Sequence, residues 1–302
     1  MHTCVTDGAC GVAGIVAGMP LDPEQYRHDS RDAWEAAARG WEAQADWWDA
    51  ATRPVSDWLV DALAPRPGQR ALELAAGPGD VGLLVAERLR PDGRAVLTDV
   101  AGAMVTTIEA RAAARGLTDV VEARTMSAEA LDLPDASVDG VACRWGYMLL
   151  ADPGAALRDT RRVLRPGGRV ALAAWDGPQA NPWLSAAALE LRERGLAPAP
   201  DPAVPGPFSW RDPTVIAAHL EAAGFADVVV DTVAFAFRYP SLDAWWASAV
   251  DLGQSLAAVV AAAEPAAADA LQAAAQARLA PYVAGDGSVA VPASTHVARG
   301  TA

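Results

Sequence analysis

Gly77, Gly79 and Gly82, in the stretch LELAAGPGDVG (72–82), stand in the spacing G-x-G-x-x-G. Glycines so placed serve a tight strand-to-helix turn, a close backbone approach to a ligand and close helix packing. At a helix N-terminus such a turn offers free N–H groups and the positive end of the helix dipole, which suits a phosphate or a carboxylate. Asp99 closes the next apolar run, where an acid can hydrogen-bond a ribose hydroxyl pair. On these residues alone a nicotinamide dinucleotide and S-adenosylmethionine fit equally well. Glu73 separates them. It lies inside an apolar run, where a buried carboxylate is costly without compensation. It would repel a pyrophosphate and attract a cationic end bearing an ammonium and a sulfonium, so it favours the sulfonium cofactor.

The elements that must position these residues follow from the hydrophobic pattern. Short apolar runs at 70–76, 94–100, 120–126, 138–145 and 169–175 alternate with helical segments. Strands this apolar, separated by helices, predict a parallel sheet covered on both faces, hence a Rossmann-like, doubly wound α/β fold. Upstream, Trp34, Trp41, Trp48 and Trp58 recur at near-heptad spacing in a helical stretch, which Pro54 is expected to break into two or more helices. Downstream, a helical piece runs to about 195, a Pro-rich connection follows, and a helix spans about 213–223. A strand is expected over 225–239, an Ala-rich helical block over 241–280 and a last strand over 286–301. The helical block before the last strand reads as a lid. The organisation expected is a leader over 1–22, an N-terminal helical cap over 23–69, a cofactor-binding core over 70–176, and substrate-side insertions with closing strands of the same domain over 177–302.

The net charge of −14 argues against a nucleic-acid partner, since polyanion binding relies on clustered basic side chains. Apart from four His, every basic side chain is Arg. Cys4, Cys10 and Cys143 lack the paired spacing of a zinc site, and no acid and histidine cluster suggests a metal. The N-terminal stretch lacks the basic region of a secretory signal, and no apolar run reaches the ~18 residues of a membrane span. A cytoplasmic protein with a small-molecule acceptor, no membrane and no nucleic acid is expected, with a homodimer allowed.

The stretch ALELAAGPGD resembles motif I of the class I S-adenosylmethionine-dependent methyltransferases, and Asp99 in VLTDVAGAMV matches their acid after the second strand. The segment EALDLPDASVDGVACRWGYMLLADPGAALRDTRRVLRPGGRVALAAW is similar to their fourth-strand region. Together these cover roughly residues 40–176. Gly79 followed by Asp80 resembles the branch of ubiquinone and menaquinone C-methyltransferases. The resemblance implies a mostly parallel seven-stranded sheet with an antiparallel terminal strand, and S-adenosylmethionine as cofactor. It implies that Glu73, Ala75, Gly77 and Gly79 line its methionine and ribose side. Asp99 would hold the ribose, Val100 and Met104 after it would also contact the cofactor, and Ser127, Ala128 and Glu129 would lie beside the adenine. Many members carry Asp where Ser127 stands, which leaves a weaker acceptor there. Trp48 occupies the region of an aromatic residue that closes over the cofactor in the family, although packing on the sheet is the competing role.

Methyl transfer from a sulfonium is an in-line displacement that gains its rate from alignment, and a base is needed only if the acceptor must first lose a proton. The residues that fit such a role are Tyr147, just past the fourth strand, and His28, if the N-terminal segment folds over the site. His219 and His296 read as ordinary structural histidines. Arg144, Trp145 and Trp175 fall at strand ends, where ligands of open α/β sheets bind, and Arg144 and Trp145 are expected at the cofactor. An aromatic-rich rim suits a flat or apolar acceptor, though the same tryptophans can serve as core. The expected reaction is O- or C-methylation of a small aromatic or apolar molecule. The alternatives are an NAD(P)-dependent oxidoreductase and a protein that binds S-adenosylmethionine without methylating.

Overall fold

The computed structural model describes residues 21–199, 201 and 204–302. Residues 1–20, with Cys4, Cys10 and nearly all of the expected leader, lie outside the described residues.

Helix α1 runs without interruption over Pro23–Leu63. Asp22 starts it, its carboxylate accepting the N–H groups of Glu24 and Gln25 while Pro23 takes the first helical position. Ala64 ends it in the left-handed region, with its N–H returned to the Val60 carbonyl. The expected break at Pro54 does not occur. An interior proline costs a helix about 3 kcal/mol, but Trp48, Val55, Leu59, Val60 and Leu63 are all buried on this helix. Each large buried side chain contributes about 1.5–3 kcal/mol, so their sum outweighs the lost hydrogen bond.

The sheet begins with β1 (Arg70–Glu73), β2 (Arg94–Asp99), β3 (Val121–Thr125), β4 (Val138–Arg144) and β5 (Leu164–Trp175). It closes with β6 (Ala226–Tyr239) and β7 (Val289–Thr301), in the order β3-β2-β1-β4-β5-β7-β6. The first five strands are parallel, and β7 runs antiparallel between β5 and β6. The mostly parallel seven-stranded sheet read from the sequence is therefore present, with its antiparallel member where the tail was expected. Helices α2 (Asp80–Leu89), α3 (Gly102–Ala114) and α4 (Pro153–Val163) connect the parallel strands. α5 (Pro182–Glu193) and α6 (Pro213–Ala222) lie between β5 and β6.

The block before β7 consists of three helices: α7 (Leu242–Leu252), α8 (Gln254–Ala262) and α9 (Pro265–Leu279). It is fastened at both ends. Gln44 of α1 donates to the Asp251 carboxylate at 2.7 Å, and Arg278 of α9 donates to Glu190 of α5 at 2.6 Å.

Candidate active site

The carboxyl ends of β1 and β2 bring the predicted acids and glycines together. Glu73, the last residue of β1, is 3% exposed, and its Oε2 accepts the N–H of Gly82 at 2.8 Å. Desolvation pushes its carboxyl up to about 8, against the opposing pull of the Arg144 cation and the Gly82 N–H. The turn that follows is tight: Gly79 N–H returns to the Ala76 carbonyl at 2.9 Å, with Gly77 and Gly79 at φ 52° and 85°. Those angles explain the glycines, since other residues adopt them only with strain. Ala75 accepts such strain at φ 48°.

Asp99 ends β2 and reaches back to the same turn. One carboxylate oxygen accepts the N–H of Gly77 at 2.9 Å and the other that of Ala101 at 3.0 Å. Burial raises its carboxyl above the usual aspartate range, and these N–H groups oppose the rise. Glu73, Gly77, Gly79, Gly82 and Asp99, with Ala75 between them in the chain, are thus gathered by hydrogen bonds at the start of α2.

Val100 follows directly, and Met104, in the first turn of α3, is buried against Ala38, Ala101, Trp34 and Trp41. After β3, Ser127 Oγ accepts the Glu129 N–H at 3.2 Å, and Ala128 is buried. Glu129 is engaged by Arg27 at 3.0 Å and by the Asp152 N–H at 2.8 Å. α1 therefore spans this edge of the sheet, and its Glu35 also accepts the Ala103 N–H at 3.2 Å.

The two catalytic candidates stand elsewhere. Tyr147 is 1% exposed, its hydroxyl lies 2.7 Å from Thr160 Oγ1, and its ring stacks on Trp210. Burial holds its phenol well above the ordinary tyrosine range. Trp210, from the connection before α6, lies against the ring. His28 sits on the solvent side of α1, 3.4 Å from Asp32, with more than half of its side chain exposed.

Arg144, Trp145 and Trp48, the further residues assigned to the cofactor, have the following partners in the fold. Arg144 is buried, donates to Thr52 and Ser56 of α1 at 2.7 and 2.9 Å, and pairs with Asp80. Trp145 stacks on Trp175 at 4.1 Å and donates from Nε1 to Thr295 at 2.9 Å. Trp48 is 2% exposed and meets Trp145, Trp175, Trp183 and Phe237 at centroid distances of 5.5, 6.4, 5.7 and 5.3 Å. These tryptophans thus pack against one another and Phe237. His296 is held between Thr232 and the Arg211 carbonyl, and His219 stacks on Trp210.

Sequence reasoning gave Arg111 no role and used Asp80 only for its likeness to one branch of the family. Asp80 is fully buried and accepts from both Arg144 and Arg111. Asp80 stands inside the glycine motif, directly after Gly79, and nothing in EARAAARG marked Arg111.

Residues 53–188 match the ubiE/COQ5 methyltransferase family. That stretch holds the glycine turn, Asp99 and the LRPGGR segment, so the resemblance to the class I methyltransferases is borne out where the site residues lie. The ubiquinone/menaquinone biosynthesis C-methyltransferase of Xanthomonas oryzae is 38% identical over 112 residues, 37% of this chain and 44% of that protein. The demethylmenaquinone methyltransferase of Symbiobacterium thermophilum is 30% identical over 153 residues, 50% of this chain and 60% of that protein. The chain thus spans about half the length of the curated relatives it matches. The YcgJ protein of Bacillus subtilis superposes with a TM-score of 0.52 at 18% identity, over 82% of this chain and 97% of that one, which shows the shared fold. The ubiE/COQ5 match favours the sulfonium over the dinucleotide reading of the glycine turn. Among the described residues no helix is long and apolar enough to cross a membrane.

Proposed function

We propose that the chain transfers a methyl group from S-adenosylmethionine to oxygen or carbon of a small aromatic or apolar acceptor. The observation that carries this reading is the unit of Glu73, the glycine turn and Asp99, joined by the Gly82 and Gly77 N–H bonds, within the stretch that matches the methyltransferase family. When bound, the cofactor supplies an activated methyl group on a sulfonium.

The residues fit such a group. Glu73 is a buried acid next to free N–H groups at the start of α2, and a cation beside it would offset its desolvation. Asp99 is already oriented by two backbone N–H groups, leaving lone pairs for a pair of ribose hydroxyls. Ser127, Ala128, Glu129 and Met104 would border the adenine. The aromatic cluster of Trp48, Trp145, Trp175, Trp183 and Phe237 keeps water from the ends of β4 and β5 and offers flat apolar surface. The names of the relatives, which act on quinone precursors, support an electron-rich ring as acceptor and a ring carbon as the methylated atom. The net charge supports a small-molecule rather than a nucleic-acid acceptor, and the proposed setting is the cytoplasm.

Calorimetric titration of S-adenosylhomocysteine tests the cofactor. Wild-type protein should bind it, and Glu73→Ala and Asp99→Ala should each weaken binding by about 1 kcal/mol or more, the scale of a charge-assisted hydrogen bond. Absence of binding to the folded wild-type protein overturns the reading. A screen of hydroxyarenes and reduced quinones with S-adenosylmethionine then tests the acceptor.

A further inference from the structure

One cation, Arg111, bridges the glycine turn to α1 and α3. Arg111, on α3, donates from Nη1 to the Pro78 carbonyl at 2.8 Å and to the Asp80 carboxylate at 2.5 Å. Its Nη2 reaches Asp49 of α1 at 3.5 Å. Asp80 opens α2 directly after Gly79, and its other oxygen is taken by Arg144, which is bound in turn to Thr52 and Ser56. Asp49, Thr52 and Ser56 recur at helical spacing on one side of α1. The groups at the centre are shielded from solvent: side-chain exposure is 0% for Asp80, 6% for Arg144 and 13% for Arg111.

We infer that Arg111 is a positioning residue for the cofactor turn, holding the Pro78 carbonyl and Asp80 so that the Gly77 N–H, the Gly82 N–H, Glu73 and Asp99 keep one geometry, with Asp49 anchoring the guanidinium to α1. The inference rests on the cofactor reading above. A planar guanidinium suits the task, because it presents several donors in a fixed fork and stays charged when buried. The peptide following Pro78 is the one that turns into Gly79 at φ 85°, so its carbonyl direction sets the turn. Without Arg111, Asp80 retains one cation and the Pro78 carbonyl loses its side-chain partner. Arg115 provides an internal contrast. It pairs with the same Asp49 at 2.9 Å and touches no residue of the turn.

The test is calorimetric titration of S-adenosylhomocysteine into wild type, Arg111→Met, Arg111→Lys, Asp49→Asn and Arg115→Met, with thermal unfolding of each ligand-free protein measured alongside. Arg111→Met should raise Kd about tenfold, the scale of one charge-assisted hydrogen bond network member. Arg111→Lys should recover part of the loss, since an ammonium can still bridge Pro78 and Asp80. Asp49→Asn should raise Kd about threefold, and Arg115→Met should stay within about twofold of wild type. Should Arg111→Met fail to fold, Asp49→Asn reads the same connection from its far end. Binding by Arg111→Met, or by Asp49→Asn in its place, within twofold of wild type overturns the inference. So does an Arg115→Met defect as large as that of Arg111→Met, because the effect would then be the docking of α1 on α3. If wild type itself does not bind, the cofactor reading fails and the role of Arg111 falls with it.

Discussion

Gly82 and Glu73 are fitted to each other: the Gly82 N–H donates to Glu73 Oε2 at 2.8 Å, and a Cβ on Gly82 would overlap that same oxygen and the Leu97 side chain. The third glycine of the motif is therefore required by the carboxylate, whereas Gly79 is required by its backbone angle. Gly82→Ala is expected to displace Glu73 and to lower stability by about 1–3 kcal/mol, the usual cost of overpacking a core. Denaturant unfolding measures the loss, and S-adenosylhomocysteine titration should show weakened binding in the protein that remains folded.

Glu73 also sets a pH dependence. Its carboxyl lies at about 8 in the folded chain and near 4.5 when unfolded, so between these values the native state holds a proton that the unfolded state has lost. Stability from this group is then full below about 4.5 and falls as the pH rises toward 8. Arg144, Asp80 and Asp99 face the carboxyl and modulate it. Ligand-free wild type is expected to lose stability over this window, and Glu73→Gln to lose less. Affinity for S-adenosylmethionine should move the opposite way, tightening from pH 6.5 to 8.5 by at most about tenfold per unit, because the ionised carboxylate attracts the cation. Calorimetry across pH decides the matter, and a flat affinity profile contradicts it.

Ala75 holds a left-handed backbone at φ 48° inside the cofactor turn. Ala75→Gly should relieve about 1–2 kcal/mol of local strain against a smaller entropic penalty, giving a net gain of about 0.5–1 kcal/mol. A raised urea midpoint with an unchanged slope is the expected result.

Gly40 lies where α1 crosses α7, and a Cβ there would run into the Asp251 backbone carbonyl. Gly40→Ala should separate the two helices, break the Gln44–Asp251 bond and cost about 1–3 kcal/mol. Limited proteolysis should then cut within residues 253–264 sooner than in wild type.

Pro54 sits in the exposed interior of α1, where its ring denies the Ala50 carbonyl a partner. Pro54→Ala should raise stability by about 1–3 kcal/mol, read from thermal unfolding.

That last residue also shows how far the sequence could be read. The strands were legible because each is a short, almost wholly apolar run between helical patterns, and buried parallel strands have no other signature. The acids and glycines of the cofactor turn were legible because they break that pattern at fixed spacing. Pro54 misled because a local rule was applied where the opposing term, the burial of one helix face on the sheet, is tertiary. The burial of Tyr147 was hidden for the same reason: its partner Trp210 lies 63 residues on in the chain. The pairing of Arg111 with Asp80 and Asp49 left no mark, since three ordinary surface-type residues become a buried network only after α1, α2 and α3 meet.

The order of strands in the sheet has a bearing on how the chain reaches this state. β6 joins the sheet only through β7, although β7 comes fifty residues later in the chain, after α7, α8 and α9. The five parallel strands can assemble as soon as β5 has left the ribosome, but β6 has no partner until residues 289–301 emerge. Until then its long edge and the three helices behind it are a segment for a chaperone to hold, because closing so large a loop is slow and unpaired strands aggregate. The edge strand β6 is thus completed only after the parallel half of the sheet.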